Sequence, residues 1–149
     1  MSTRKSIFLA LLISAFFSSL YGKEKIDSLL ALLQNATDTN RVELLLRISG
    51  YYQSNETDKC LQYCKEAIEL SEKLGNKGWI ARAYYRKGNF YNGNGNYTAA
   101  FEALVKSYDL FEEVKDYNGM SNTANSIGNI FLARNDTANM FKYYKLALV

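Results

Sequence analysis

Residues 84–111 read YYRKGNFYNGNGNYTAAFEALVKSYDLF, and residues 124–149 read ANSIGNIFLARNDTANMFKYYKLALV. Laid over each other with a shift of 40, Gly88-Asn89-Phe90-Tyr91 meets Gly128-Asn129-Ile130-Phe131. Further on, Ala100 meets Met140, Leu104 meets Tyr144 and Ser107 meets Ala147. Going back by 40, Ala100 meets Cys60, Leu104 meets Cys64 and Ser107 meets Ala67. A fixed period of this size marks stacked structural repeats, so the periodicity is read before any single residue. Gly50 is taken as the earlier counterpart of Gly88, 38 residues before it, which implies two residues lost near Gln53–Glu56.

Each unit reads as two helices. Val42, Leu45, Leu46, Ile48, Tyr51 and Tyr52 recur at helical spacing and predict a helix over 41–53. A second is predicted over 57–74, with Asn55 or Thr57 as its cap. Gly75-Asn76-Lys77-Gly78 and Gly93-Asn94-Gly95-Asn96 read as turns. Helices follow over 79–92, 97–115 and 120–133, and a last one starts near 137. A short helix over 24–33 precedes them. The chain has no Pro and only 9 Gly in 149 residues, which favours helices throughout. Glycine inside a helix costs about 1 kcal/mol against alanine, so its return at one phase (Gly50, Gly88, Gly128) predicts a close helix crossing there.

The pattern Tyr84, Gly88, Tyr91, Tyr97, Ala100, Leu104, Ser107 resembles the tetratricopeptide repeat (TPR) family, and Gly128, Phe131 and Ala147 meet it again. The first copy, with Gly50, Cys60, Cys64 and Ala67, fits less well. The resemblance covers 41–149 and implies an all-α fold: antiparallel helix pairs stacked in a right-handed superhelix, an α-solenoid. Two departures stand out. The usual Pro at the end of the second helix is absent, and the period is 40 where the family's is 34. The longer unit resembles the exported sensor regions of bacterial signal-transduction proteins. The expected organisation is 1–22 leader, 23–40 short helix and linker, then repeats over 41–78, 79–119 and 120–149, the last one truncated.

The leader reads MSTRKSIFLALLISAFFSSLYG: basic Arg4 and Lys5, an apolar run from Ile7 to Phe17, then small and polar residues. That is the layout of a secretory signal peptide, cleaved or kept as an anchor, and it predicts an exported, periplasmic protein. Without Arg4 and Lys5 the charge falls from +3 to +1 (16 Lys+Arg against 15 Asp+Glu), and no basic run follows residue 22, so no nucleic-acid partner is expected.

There is no His, which removes the commonest general base and metal ligand. No catalytic residue, metal site or cofactor is predicted, and the chain is read as non-enzymatic. Cys60 and Cys64 align with Ala100 and Leu104 and read as buried apolar fillers. The Asn-x-Thr triplets at 55, 96 and 135 fall at inter-helix turns, where Asn turns the chain and Thr caps. The resemblance places binding on the face lined by the first helices. By phase that strip holds Arg47, Tyr51 and Ser54, then Arg82, Tyr85, Asn89 and Asn92, then Asn122, Asn125 and Asn129. Amides can serve both N–H and C=O, and guanidinium grips carboxylate, so the strip suits an extended protein or peptide segment. Two functions remain open: a protein-binding module, or the sensory part of a signal-transduction protein whose output domain is missing. Membrane contact is expected only through the leader or a missing downstream span, and the uncapped last repeat offers a route to self-association.

Overall fold

A computed structural model describes residues 25–53 and 56–148; the leader and residues 54 and 55 lie outside the described residues. The chain divides after Asn35 into two compact units. In the first, a helix over 25–35 (α1) buries Ile26, Leu29 and Leu33, at the spacing of one helical face. The second holds α2 (Asp38–Tyr52), α3 (Thr57–Lys73), α4 (Lys77–Gly93), α5 (Tyr97–Glu113), α6 (Tyr117–Ala133) and α7 (Thr137–Leu146). There is no strand among the described residues.

One turn, used four times, builds most of this unit. Gly75, Gly95, Lys115 and Asn135 stand in the left-handed region, at φ +62°, +74°, +57° and +56°. Each ends a helix in the same way. The N–H of Asn76 reaches back to Ser71 O (3.1 Å), that of Asn96 to Tyr91 O (2.9 Å), that of Asp116 to Phe111 O (2.9 Å) and that of Asp136 to Phe131 O (2.9 Å). The same four residues then cap the next helix. Their side-chain oxygens accept from the N–H of Trp79 (3.2 Å), Ala99 (3.2 Å), Gly119 (2.9 Å) and Asn139 (3.1 Å). Caps at 76, 96, 116 and 136 give a spacing of 20, so the period of 40 is two equal helix modules. Asn and Asp do the capping, and Thr does not: Thr98 and Thr137 lie inside their helices, because the side chain that caps must sit directly after the left-handed residue. For the same reason α4 begins at Lys77, and Gly78 belongs to its first turn.

The first pair departs from this rhythm. Thr37 and Glu56 hold the N-cap positions of α2 and α3, and neither side chain makes a cap bond. Glu56 pairs instead with Lys59 at 2.7 Å. The caps at 37 and 56 are 19 apart, so the first pair is one residue short, not two. The true counterpart of Gly88 is therefore Ser49, 39 residues before it, and not Gly50. Contacts agree. A Cβ on Gly88 would lie 2.6 Å from Leu104 Cγ and 3.2 Å from the Ala100 carbonyl, and one on Gly128 would run into the Tyr144 ring. Ser49 is fully buried and in hydrogen-bonding contact with Cys64, the counterpart of Leu104. Gly50 faces only the mobile end of a side chain, Arg86 Nη1 at 3.2 Å.

Within the second unit each helix packs on its neighbours in sequence, and α2, α4 and α6 also meet in turn, while among the described residues α3, α5 and α7 do not. The stack is therefore tighter on the α2–α4–α6 side, here called inner. Ala100, Leu104, Ile127 and Ile130 form a core cluster. Burying such side chains stabilises by about 1.5–3 kcal/mol each for the larger ones. Ser107, also buried, donates to Ala81 O at 2.8 Å and ties α5 to α4 without leaving an unpaired hydroxyl. Cys60 and Cys64 are free and fully buried. Burial, and then the neighbouring Cys64, pushes the Cys60 thiol up to about 12.

Candidate functional site

The second and third pairs set the inner side. On α4, Arg82, Tyr85, Asn89 and Asn92 follow at steps of three and four and share one face. On α6, Asn122, Asn125 and Asn129 do the same, and all three are exposed. Arg82 lays its guanidinium over Trp79, the guanidinium carbon 5.0 Å from the ring centroid, and its Nη2 is 3.8 Å from Asp116 Oδ2. Asp116 thereby serves two partners, since its Oδ1 caps α6 through Gly119 N–H. The capping bond holds the carboxylate where the guanidinium can meet it. Tyr85 is half-buried against the core cluster.

These groups surround a cavity of about 320 Å³ lined by Arg82, Tyr85, Phe111, Asp116, Asn118, Gly119 and Asn122. It brings together three of the ten sequence-selected residues, Arg82, Tyr85 and Asn122. Asn89 and Asn92, half-buried, continue the face of α4 beyond it, and Asn125 and Asn129 continue that of α6. Asn129 is already engaged: its Oδ1 accepts from Tyr144 O–H at 2.7 Å.

Arg47 and Tyr51 lie on α2 but not on this line. In the register of 39, Leu46 and Gly50 correspond to Tyr85 and Asn89, so Arg47 and Tyr51 stand one residue further round the helix, about 100° away. Arg47 is exposed, with Glu43 at 4.0 Å, and Tyr51 rests edge-on against Tyr52 at 5.3 Å between centroids. Ser54 lies outside the described residues.

Phe111, Asp116, Asn118 and Gly119 escape a reading that searches only the first helices, because they come from the end of α5 and the turn after it. The rhythm of Asn76, Asn96, Asp116 and Asp136 is the signal that would have singled out Asp116. Gly119 is small because a Cβ there would lie 2.5 Å from the Phe111 ring.

Chemically the cavity offers a guanidinium, a carboxylate, a phenol and amides in one place. It donates and accepts in equal measure, which suits a polypeptide backbone with its charged side chains. Two family models match the chain: one described as the SusR N-terminal TPR domain over residues 21–109, and one described as a tetratricopeptide repeat over residues 79–148. Comparison with curated proteins finds no match.

Proposed function

The chain belongs to the tetratricopeptide-repeat family, and from that premise we propose that it is an exported module that binds an extended protein segment along the inner side of α4 and α6. Domains of this family generally mediate protein–protein interaction and are typically non-catalytic. The observation that carries the reading is the cavity where Arg82, held by Asp116, stands beside Tyr85 and Asn122. A carboxylate of the bound segment exchanges with Asp116 for the guanidinium, and the amides of Asn89 and Asn122 take backbone N–H and C=O. Hydrogen bonds to a charged group contribute about 1.5–3 kcal/mol, so Arg82 outweighs either amide.

The test compares capture of envelope proteins by the immobilised wild type and by an Arg82→Ala/Asn89→Ala variant, with folding checked by circular dichroism. Reduced capture by a folded variant is expected. Equal capture of the same partners overturns the reading. Export rests on the basic and apolar layout of residues 1–22. N-terminal sequencing of the mature protein is expected to begin near Lys23, and Met1 retained on a cytoplasmic form refutes it.

A second reading, the sensory part of a signal-transduction protein, is supported by a matching model that is described as an N-terminal domain. An open reading frame that runs past Val149 into an output domain favours it, and a stop codon at that point sinks it.

A further inference from the structure

The outer side of the middle helix pair lacks an aromatic ring that both other pairs possess. In the first pair Tyr52 of α2 stacks on Tyr63 of α3, with centroids 5.9 Å apart and planes at 6°. In the third, Phe131 of α6 stacks on Tyr143 of α7, at 5.4 Å and 10°. The middle counterparts, 39 or 40 residues on from the first pair, are Tyr91 of α4 and Ala103 of α5. At that place the structure holds a cavity of about 320 Å³, lined by Tyr84, Lys87 and Tyr91 on α4 and Ala99, Ala103 and Lys106 on α5, with Glu102 at its rim.

The cavity differs from its counterpart in charge as well as in the missing ring. In the third pair the positions of Lys87 and Lys106 are Ile127 and Leu146, and Ile127 is 1% exposed. Here Lys87 Nζ lies 5.9 Å from the ring centroids of both Tyr84 and Tyr91. Lys106 Nζ stands 4.2 Å from the Tyr84 centroid and donates to its hydroxyl oxygen at 2.8 Å. The third pair lines a smaller cavity of about 200 Å³ there, with the aliphatic Ile127 and Leu146 beside Tyr143, whereas the middle pair sets two ammonium groups at those positions. This face of α4 is turned nearly opposite to Arg82, Tyr85, Asn89 and Asn92, since steps of three and four from Tyr84 trace a separate stripe of the helix.

We infer that this slot binds an aromatic side chain of a partner polypeptide that carries a carboxylate beside the ring. The ring stacks on Tyr91, in the place that Tyr63 and Tyr143 take in the other pairs. The carboxylate lies between Lys87 and Lys106. Glu102 at the same rim makes the complement a single acidic group next to the ring and not an acidic run. The site is independent of the inner strip and remains if that reading fails.

The experiment follows backbone amide shifts of the full chain by NMR while N-acetyl-tyrosine is added. Saturable shifts at the amides of Tyr91 and of Ala99 to Lys106 are expected in the millimolar range. N-acetyl-tyrosinamide, which keeps the ring and loses the carboxylate, should bind about 2- to 5-fold more weakly, the range for an exposed ion pair. Ala103→Tyr fills the slot from within, so it should abolish the response and raise the melting temperature by restoring the stack. Tyr91→Leu removes the stacking face and should abolish the response without filling the slot.

No saturable shift at these amides overturns the inference, as does an undiminished response in Ala103→Tyr. A lowered melting temperature for Ala103→Tyr shows that the space does not fit a ring, and equal affinity for the two probes removes the carboxylate. Shifts at the same amides that depend on protein concentration alone would assign the slot to a second copy of the chain and overturn the proposal.

Discussion

From α4 onward every helix starts on an Asn or Asp that accepts a hydrogen bond three residues ahead, whereas α2 and α3 start on Thr37 and Glu56 without one. The same division runs through the helix crossings. Gly88 and Gly128 admit Leu104 and Tyr144, while in the first pair Ser49 admits the smaller Cys64. In each pair a small residue on one helix faces a larger one on the other, so the crossing is set by two positions together and not by one residue. The turn also matters. Between the capped starts at 76, 96, 116 and 136 the spacing holds at 20, and between the uncapped starts at 37 and 56 it is 19.

The contrast is sharpest in thiol chemistry, which only the first crossing possesses. With the Cys60 thiol pushed up to about 12, roughly one part in 10⁴ is thiolate at pH 8. The native chain is expected to leave a disulfide reagent such as Ellman's untouched until denaturant is added, and prompt reaction of both thiols in the native state would contradict the burial. Because this pKa is raised in the folded state, its contribution to stability is whole below the ordinary value of 9.0. It is lost as pH rises from there toward about 12.

Next in size is Gly88→Leu, which drives a side chain into Leu104 and the Ala100 carbonyl. Overpacking of this kind costs about 1–3 kcal/mol, read as a lower melting temperature by circular dichroism. An unchanged melting temperature would end the crossing argument.

The exchange of volumes can be tested as a swap. Cys64→Leu alone overpacks against Ser49, and adding Ser49→Gly should relieve it, with a coupling of about 1 kcal/mol in a double-mutant cycle. Strict additivity would mean that the two positions do not share the space.

The caps come next. Asn96→Ala should cost about 1 kcal/mol, and Glu56→Asn should return a fraction of that to the first pair, both measured in urea. The smallest effect is expected at Gly50→Ala, a gain of about 0.5 kcal/mol from helix propensity, since the Arg86 guanidinium can move aside. A loss there as large as that of Gly88→Leu would restore Gly50 as a crossing residue.

Much of this was legible in the chain itself. Gly88-Asn89-Phe90-Tyr91 over Gly128-Asn129-Ile130-Phe131 reveals the period, and the apolar spacing of Val42, Leu45 and Ile48 reveals the helices. Arg82, Tyr85 and Asn122 could be chosen by phase, and they line one cavity. Counting from Gly50, the one of the three phased glycines that does not mark a crossing, selects Arg47 and Tyr51, and the slip of one residue carries them round α2. The rhythm of 20 was hidden because its left-handed residue is Gly, Gly, Lys and Asn in turn. Identity varies there while conformation does not.

The sequence by itself determined the helical class, the period and the buried, space-filling place of the cysteines, because hydrophobic spacing and residue size act locally along a helix. Tertiary structure alone decided which small residue meets which large one, why Asp116 faces Arg82, and that Ala103 leaves Tyr91 without its ring. Those depend on side chains from different helices sharing one space. A one-residue change in a turn re-aims a whole helix face by about 100°, and no pattern within either helix records it.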